Sequence, residues 1–321
     1  MDQSIQSQST DIRLQQLSYS SRLTLHTCPR KYQLYKLSAV PNLDADPSQS
    51  VTFAFGHIVG LGIQELITHH DFDRAVWAAF LMWEPDLLAE NVKQAKNFWL
   101  GLAALQRFQS LLSNGFMKEW QLYHYEGRPA VELSFIIQFP DGFTYKGFVD
   151  AVLVNTNTNE VMVLECKTTA MNYVAAATYK NSAQAIGYSI VLDAMFPTLS
   201  SYEVQYLIYK TKAGEFESMN FQKDYLSRAL WIREILLDIE CIKMYENAEI
   251  YPMHGESCND FYRECEYMNI CTLSTASLTE ELNPEQVEKV LSDNTGNFQI
   301  NLSLSDLIQA QLGKEIEATV A

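Results

Sequence analysis

Apolar residues recur at helical spacing through the first third of this chain, and at about residue 130 the period shortens to that of strands. In the first stretch Phe55, Ile58, Val59, Ile63, Leu66 and Ile67 form one broad face and predict a helix over residues 51–68. Residues 71–80 and 89–112, rich in Ala, Leu, Phe and Trp, predict two more. Residues 130–139, 144–154 and 160–167 are short β-prone runs. They are separated by Pro140-Asp141-Gly142 and by alternating Asn and Thr at 155–159, both turn compositions, so an antiparallel meander is predicted. Helical spacing returns over 171–196, strands follow over 202–210 and 215–221, and a long helix over 222–247. This order predicts an α/β domain with a central mixed sheet and helices on both sides.

The ends read differently. Residues 1–16 begin rich in Gln and Ser and are expected to be disordered. The domain itself is expected over 17–275. Beyond it, 276–297 reads as an acidic linker, and Leu302, Leu304, Leu307, Ile308 and Leu312 make a weakly amphipathic helix over 302–312. Such a tail suits docking of a partner, or packing against the core.

With 321 residues and 47% hydrophobic content the chain reads as one elaborated globular domain, or a core domain plus an appendage. No apolar run approaches the roughly 20 residues of a membrane span, and the polar start lacks the plan of a signal peptide. A cytoplasmic location without membrane contact is therefore expected. In that reducing setting six cysteines point to metal binding rather than disulfides. The formal charge of -16 argues against a broadly basic nucleic-acid surface, but it is unevenly spread. Residues 276–321 hold eight acids against Lys289 and Lys314, whereas Arg13, Arg22, Arg30, Lys31 and Lys36 gather near the start. Arg22, Arg30, Lys31 and Lys36 are candidates for a DNA path, or for a solvated helix face.

The chemistry concentrates between Gly147 and Lys167. Gly147-Phe148-Val149-Asp150 closes one β-prone run, and Val163-Leu164-Glu165-Cys166-Lys167 closes the next. Alternation along a strand puts Glu165 and Lys167 on one face and Cys166 on the other. Magnesium and manganese favour carboxylates, carbonyls and water, so Asp150, Glu165 and the Cys166 carbonyl are candidate ligands. Lys167 is placed to stabilise charge developing on a phosphate. Gln184 and Tyr188, four residues apart, share a face of the following helix.

The order Gly147/Asp150, Glu165/Lys167, Gln184/Tyr188 resembles the RecB-like branch of the PD-(D/E)XK nuclease superfamily. The resemblance implies a restriction-endonuclease-like core, a catalytic set of Asp150, Glu165, Lys167, Gln184 and Tyr188, and Mg2+ or Mn2+ as cofactor. That branch commonly carries a metal-binding His in Gly-x-x-x-His on an early helix. Here Gly56-His57-Ile58-Val59-Gly60 puts Gly60 at the expected position and His57 one turn earlier. His57 is thus a metal ligand from a shifted register, or a packed or capping residue. Glu132 is expected on an exposed strand face.

Cys258, Cys265 and Cys271 lie in a polar segment, and Cys28 stands in Cys28-Pro29-Arg30-Lys31-Tyr32. Four thiolates hold either zinc or an iron-sulfur cluster, and spacing does not choose. The run Leu17-Ser18-Tyr19-Ser20 with Cys28-Pro29-Arg30-Lys31-Tyr32 resembles the opening of RecB-like nucleases such as the AddB nuclease domain and the CRISPR-associated exonucleases. That resemblance implies a 4Fe-4S cluster on Cys28, Cys258, Cys265 and Cys271, stapling a helical region made by both ends. It implies a DNA exonuclease acting on ends or single strands, in recombination, repair, phage replication or CRISPR adaptation, with a recombination or replication protein as the partner a docking tail would meet. The alternative is a DNA-binding or adaptor subunit that keeps the fold with weak or no catalysis.

Overall fold

The computed structural model describes residues 10–37, 51–83, 96–199, 202–260, 263–273 and 299–309. The chain enters through β1 (Gln16–Leu17), α1 (Tyr19–Thr27) and α2 (Pro29–Lys36). Ser18 starts α1 with a reciprocal cap: the Ser18 hydroxyl accepts from the Ser21 amide while the Ser21 hydroxyl accepts from the Ser18 amide. Then follow α3 (Val51–His69), α4 (Phe72–Met82) and α5 (Phe98–Ser113). The predicted helix over 89–112 thus begins, among the described residues, at Phe98, where the Asn97 side chain accepts from the Leu100 amide.

Short strands β2 (Trp120–Leu122), β3 (His124–Tyr125) and β4 (Arg128–Pro129) precede the meander β5 (Val131–Gln138), β6 (Thr144–Asn155) and β7 (Val161–Thr169). The helix predicted over 171–196 is two pieces, α6 (Ala176–Lys180) and α7 (Ala183–Met195). After them come β8 (Tyr202–Lys210), β9 (Glu215–Lys223) and α8 (Tyr225–Ala248), and then β10 (Asn259–Asp260), β11 (Arg263–Glu264) and β12 (Gln299–Ser303).

The main sheet runs β12-β5-β6-β7-β8-β9, with β1 and β2 also paired to β6. β5–β6, β6–β7 and β8–β9 are antiparallel, whereas β7–β8, β12–β5 and β1–β6 are parallel, so the sheet is mixed as expected. One face carries Leu133, Phe135, Ile137, Tyr145 and Val163 against α1, α2, α7 and α8; the other carries Leu153, Met162, Leu164 and Leu207 against α3, α4 and α5. These buried layers supply the main apolar driving force, at about 25 cal/mol per Å2 removed from water. Trp231 on α8 locks the first layer, its indole N–H donating to Ala183 O at 2.8 Å.

Two expectations change at the ends. Residues 10–16, expected to be disordered, reach the sheet at β1; residues 1–9 lie outside the described residues. Most of the expected acidic linker, residues 276–297, also lies outside them. Leu302, expected on a helix, sits in β12, which adds to β5 in parallel, while 304–309 are helical with Leu307 buried. The edge of β5 was free to accept that strand, and burial of Ile300 and Leu302 favours it. By length and composition alone α3 is apolar enough to cross a membrane. It packs instead as a core helix against α4, α5 and β7.

Candidate active site

β6 is paired along its whole length on one side but interrupted on the other. β5 pairs with residues 144–151, so β1, which takes Thr144 and Tyr145, occupies the side that β7 shares at Ala151–Val154. Between those two partners residues 146–150 have no strand on that side among the described residues. Gly147, Phe148 and Asp150 lie in this gap. The last β6–β7 pair is Ala151 with Leu164, so Asp150 and Glu165 are the first residues past it and face each other where the strands part. Asp150 Oδ2 accepts the Cys166 amide at 2.9 Å, replacing the missing ladder bond. Gly147 is opposite Phe135 on β5; a Cβ there would meet the ring at 2.7 Å, which explains the glycine.

β7 then aims its side chains as alternation predicts. Glu165 is buried, with one oxygen 2.5 Å from Lys167 Nζ and the other, Oε2, without a hydrogen-bond partner. Lys167 Nζ also donates to Gln184 Oε1 at 3.1 Å, and Gln184 Nε2 donates to the Tyr188 hydroxyl at 2.5 Å. The structure therefore brings together Asp150, Glu165, Lys167, Gln184 and Tyr188.

α3 closes the site from the opposite layer. Its residues Phe53, Gly56, His57, Gly60, Leu61 and Gln64, spaced as one helical face, line the same cleft of about 760 Å3 as Asp150, Glu165, Cys166, Lys167 and Gln184. The buried face, Phe55, Ile58, Val59, Ile63 and Leu66, is the core side of the helix. His57 is exposed into the cleft rather than packed. Gly60 leaves open space, since a Cβ there would meet nothing within 4 Å.

Glu132 corrects the expectation of a plain exposed strand residue. It is half-buried, lines the cleft, and is held by Gln64 Nε2 at 2.5 Å. In the β5–β6 register Val131 pairs with Ala151 and Leu133 with Val149, which puts Glu132 opposite Asp150. Its φ of 48° is left-handed, a strained state for Glu that the surrounding ladder maintains. The sequence held the signal: a hairpin folded about Asp141 sets residue 132 across from residue 150.

Three carboxylates thus crowd one cleft. Burial, and then the Glu165 carboxylate, push Asp150 well above its ordinary 3.8; Lys167 and the Cys166 amide oppose the rise and Glu132 adds to it. Burial also raises Glu132 above 4.5, with Glu165 adding to the rise and the Gln64 bond and His57 opposing it. Burial disfavours the Lys167 ammonium, but Glu165 and Asp150 outweigh it and hold the amine charged. Burial followed by Glu165 and Asp150 keeps the Tyr188 hydroxyl protonated. The cleft is therefore short of positive charge, and the unpartnered Glu165 Oε2 is a free lone-pair donor within it.

The basic set near the start is read differently by the structure. Arg22 is buried, its Nε 2.5 Å from Asp238 and its guanidinium over the Trp231 ring, so it braces α1 on α8. Arg30 is buried and donates to Gln33, to Cys271 O at 2.9 Å and to Leu273 O at 2.5 Å. Lys36 donates to Gln16 O, and burial lowers its pKa to about 8. Lys31 lies 3.6 Å from Glu266. Buried guanidinium groups need partners, and here they join the two ends of the chain rather than lining a DNA path.

The four candidate cluster cysteines all lie at that junction. Cys28 is buried, and Cys258, Cys265 and Cys271 are half-buried. The Cys265 amide donates to Cys258 O at 2.8 Å, and Leu34 on α2 packs with Tyr267. Burial raises the Cys271 thiol; Arg30 opposes this, and Cys28, Cys258 and Cys265 add to it, so the four share one electrostatic neighbourhood. Among the described residues no three His, Cys, Asp or Glu side chains close into a metal cage, here or in the cleft.

A family model for the PD-(D/E)XK nuclease superfamily matches residues 16–272. Among solved structures, one provisionally described as an exonuclease from Eubacterium rectale is similar at 10% identity, covering 80% of this chain and 91% of its own, with a TM-score of 0.47. A second, SSO0001, is similar at 13% identity, covering 80% of this chain and 98% of its own, with a TM-score of 0.31. No curated protein matches the sequence.

Proposed function

Because the chain belongs to the PD-(D/E)XK nuclease superfamily, we propose that it is a metal-dependent DNA nuclease, an exonuclease working on ends or single strands from this cleft. The observation that carries the reading is the state of Glu165: one carboxylate oxygen bound by Lys167, the other buried and unpartnered, facing Asp150. That orphaned oxygen and the surplus of acid fit a divalent cation. Asp150, Glu165 and the Cys166 carbonyl would hold Mg2+ or Mn2+, with Glu132 and His57 on the far wall. Such an ion polarises the phosphate and lowers the pKa of an attacking water.

The protein's own groups do the rest. Lys167 keeps its proton and, steered by Gln184, presents an ammonium to the charge that builds on phosphate oxygens in the transition state. Tyr188 stays neutral and fixes the Gln184 amide, hence the lysine's direction. Asp150 is oriented by the Cys166 amide, and Glu132 by Gln64.

Cys28, Cys258, Cys265 and Cys271 would be the ligands of a structural 4Fe-4S cluster; what supports this is that they come from both ends of the chain and that the other three thiols act electrostatically on Cys271. Joining residue 28 to 258–271 closes a long loop, which constrains the unfolded chain. Anaerobically purified protein is expected to be brown, with about four irons; a colourless, stoichiometric zinc protein contradicts the cluster. End-labelled DNA with Mn2+ tests the nuclease: cutting by wild type is expected to be lost in Glu165→Ala and Lys167→Ala proteins that remain folded.

A further inference from the structure

We infer that Phe53 and Phe148 are apolar walls that stack unpaired bases of a DNA strand at the cleft, and so set a preference for unpaired over duplex DNA. This rests on the nuclease reading above. Both rings line the cleft that holds Asp150 and Glu165, Phe53 from the first turn of α3 and Phe148 from the gap in β6. Phe53 is 67% exposed, although it stands on a helix whose other face is fully packed. It is not on the core stripe: it belongs to the face shared with Gly56, His57, Gly60 and Gln64. The two glycines on that face keep the floor open beside the ring, and Gly60 has free space above it.

Charge argues for stacking as the grip. The chain carries -16, the cleft is crowded with carboxylates, and the guanidinium groups of Arg22 and Arg30 are committed inside the fold. Phosphate contacts, which normally supply most nucleic-acid affinity, are therefore scarce here; Lys96 and Lys167 are the cations lining the cleft. Ring-on-base contact is the other source of affinity, and it is sequence-tolerant because every base has a π-face. In a duplex every face but the outermost of the end pair is buried against a neighbouring pair, so only a frayed or single strand can offer bases to both rings. Met82, also at the cleft and 44% exposed, adds a soft apolar contact to the same mouth.

The test is cleavage kinetics with Mn2+ on end-labelled single-stranded and blunt duplex DNA, repeated with abasic positions walked inward from the end. Phe53→Ala is expected to raise KM for single strands about tenfold with kcat within about twofold, the size of one lost stack. Phe53→Trp is expected to stay near wild type. An abasic residue at the stacked position is expected to weaken wild type and leave Phe53→Ala unaffected. Phe148→Leu, which keeps most of the volume, is expected to shift KM in the same direction with an unchanged melting temperature. Equal cleavage of blunt duplex and single strand overturns the inference, as does an unchanged KM in Phe53→Ala, which would fit a protein-docking ring. Wild type that cuts no DNA at all overturns the nuclease reading and this inference together.

Discussion

The carboxylate of Asp150 accepts the backbone amide of Cys166 at 2.9 Å. One residue therefore both ties off the parting strands and faces the proposed cation site. The two roles separate chemically, because an Asn side-chain carbonyl still accepts that amide but carries no charge. Asp150→Asn is expected to lower cleavage by about 100-fold or more with its melting temperature unchanged or raised, since burial and Glu165 already penalise the charge. Calorimetry beside an end-label assay checks both; a large fall in melting temperature contradicts the division of roles.

The same crowding makes stability depend on pH in a stated direction. Folded Asp150 binds its proton more tightly than the unfolded chain, whose value lies near 3.8. Its stabilising contribution is present below that value and is lost as pH rises from there through the higher folded pKa. Glu132 acts in the same sense from 4.5 upward. Metal-free protein is expected to lose stability across this window, Mn2+ to restore it more at higher pH, and Asp150→Asn to flatten the profile. Chemical denaturation in EDTA and in Mn2+ reads this out.

Glu132 is expected to matter through charge and Gln64 through aim. Glu132→Gln is expected to weaken Mn2+ binding and cleavage, and Gln64→Leu to weaken Mn2+ binding by about tenfold, the usual cost of losing an orienting partner. Isothermal titration with Mn2+ alone measures both without requiring turnover.

Gly60 faces the cleft with room for a side chain. His57→Ala is expected to weaken Mn2+ binding, and adding Gly60→His in the same protein to recover part of it. Titration calorimetry again decides, and no recovery would show that the two positions do not reach the same ion.

The cysteine junction predicts a mechanical defect rather than a chemical one. Cys28→Ser is expected to lower the melting temperature by about 5 °C or more, while the residual folded fraction keeps its metal-dependent cleavage. Comparing thermal melts with specific activity per folded molecule checks this.

How much of this was legible follows from what each residue depends on. Asp150, Glu165 and Lys167 were readable because strand alternation and a short hairpin are local rules, and Gln184/Tyr188 because four residues make one helical turn. Glu132 was missed because an acid flanked by Val131 and Leu133 looks like any solvent-facing strand position until the hairpin register sets it opposite Asp150. The burial of Arg22 and Arg30 is not legible, because nearness in sequence says nothing of Asp238 or Cys271, more than 200 residues away, which hold them inside. Leu302 and Ser303, at the start of the helix expected over 302–312, fall in β12 because strand addition to an edge depends on the acceptor edge, not on the segment alone.

The central claim, that Glu165 with its free oxygen and its bound lysine makes this cleft a metal-dependent nuclease, is tested most directly by one measurement. End-labelled single-stranded and duplex DNA are incubated with wild type and Glu165→Gln, with Mn2+ and with EDTA, after both proteins are shown to melt alike. Cleavage is expected from wild type in Mn2+ alone and none from Glu165→Gln. Cleavage that survives EDTA or the substitution, or its absence in wild type on every substrate, would contradict it.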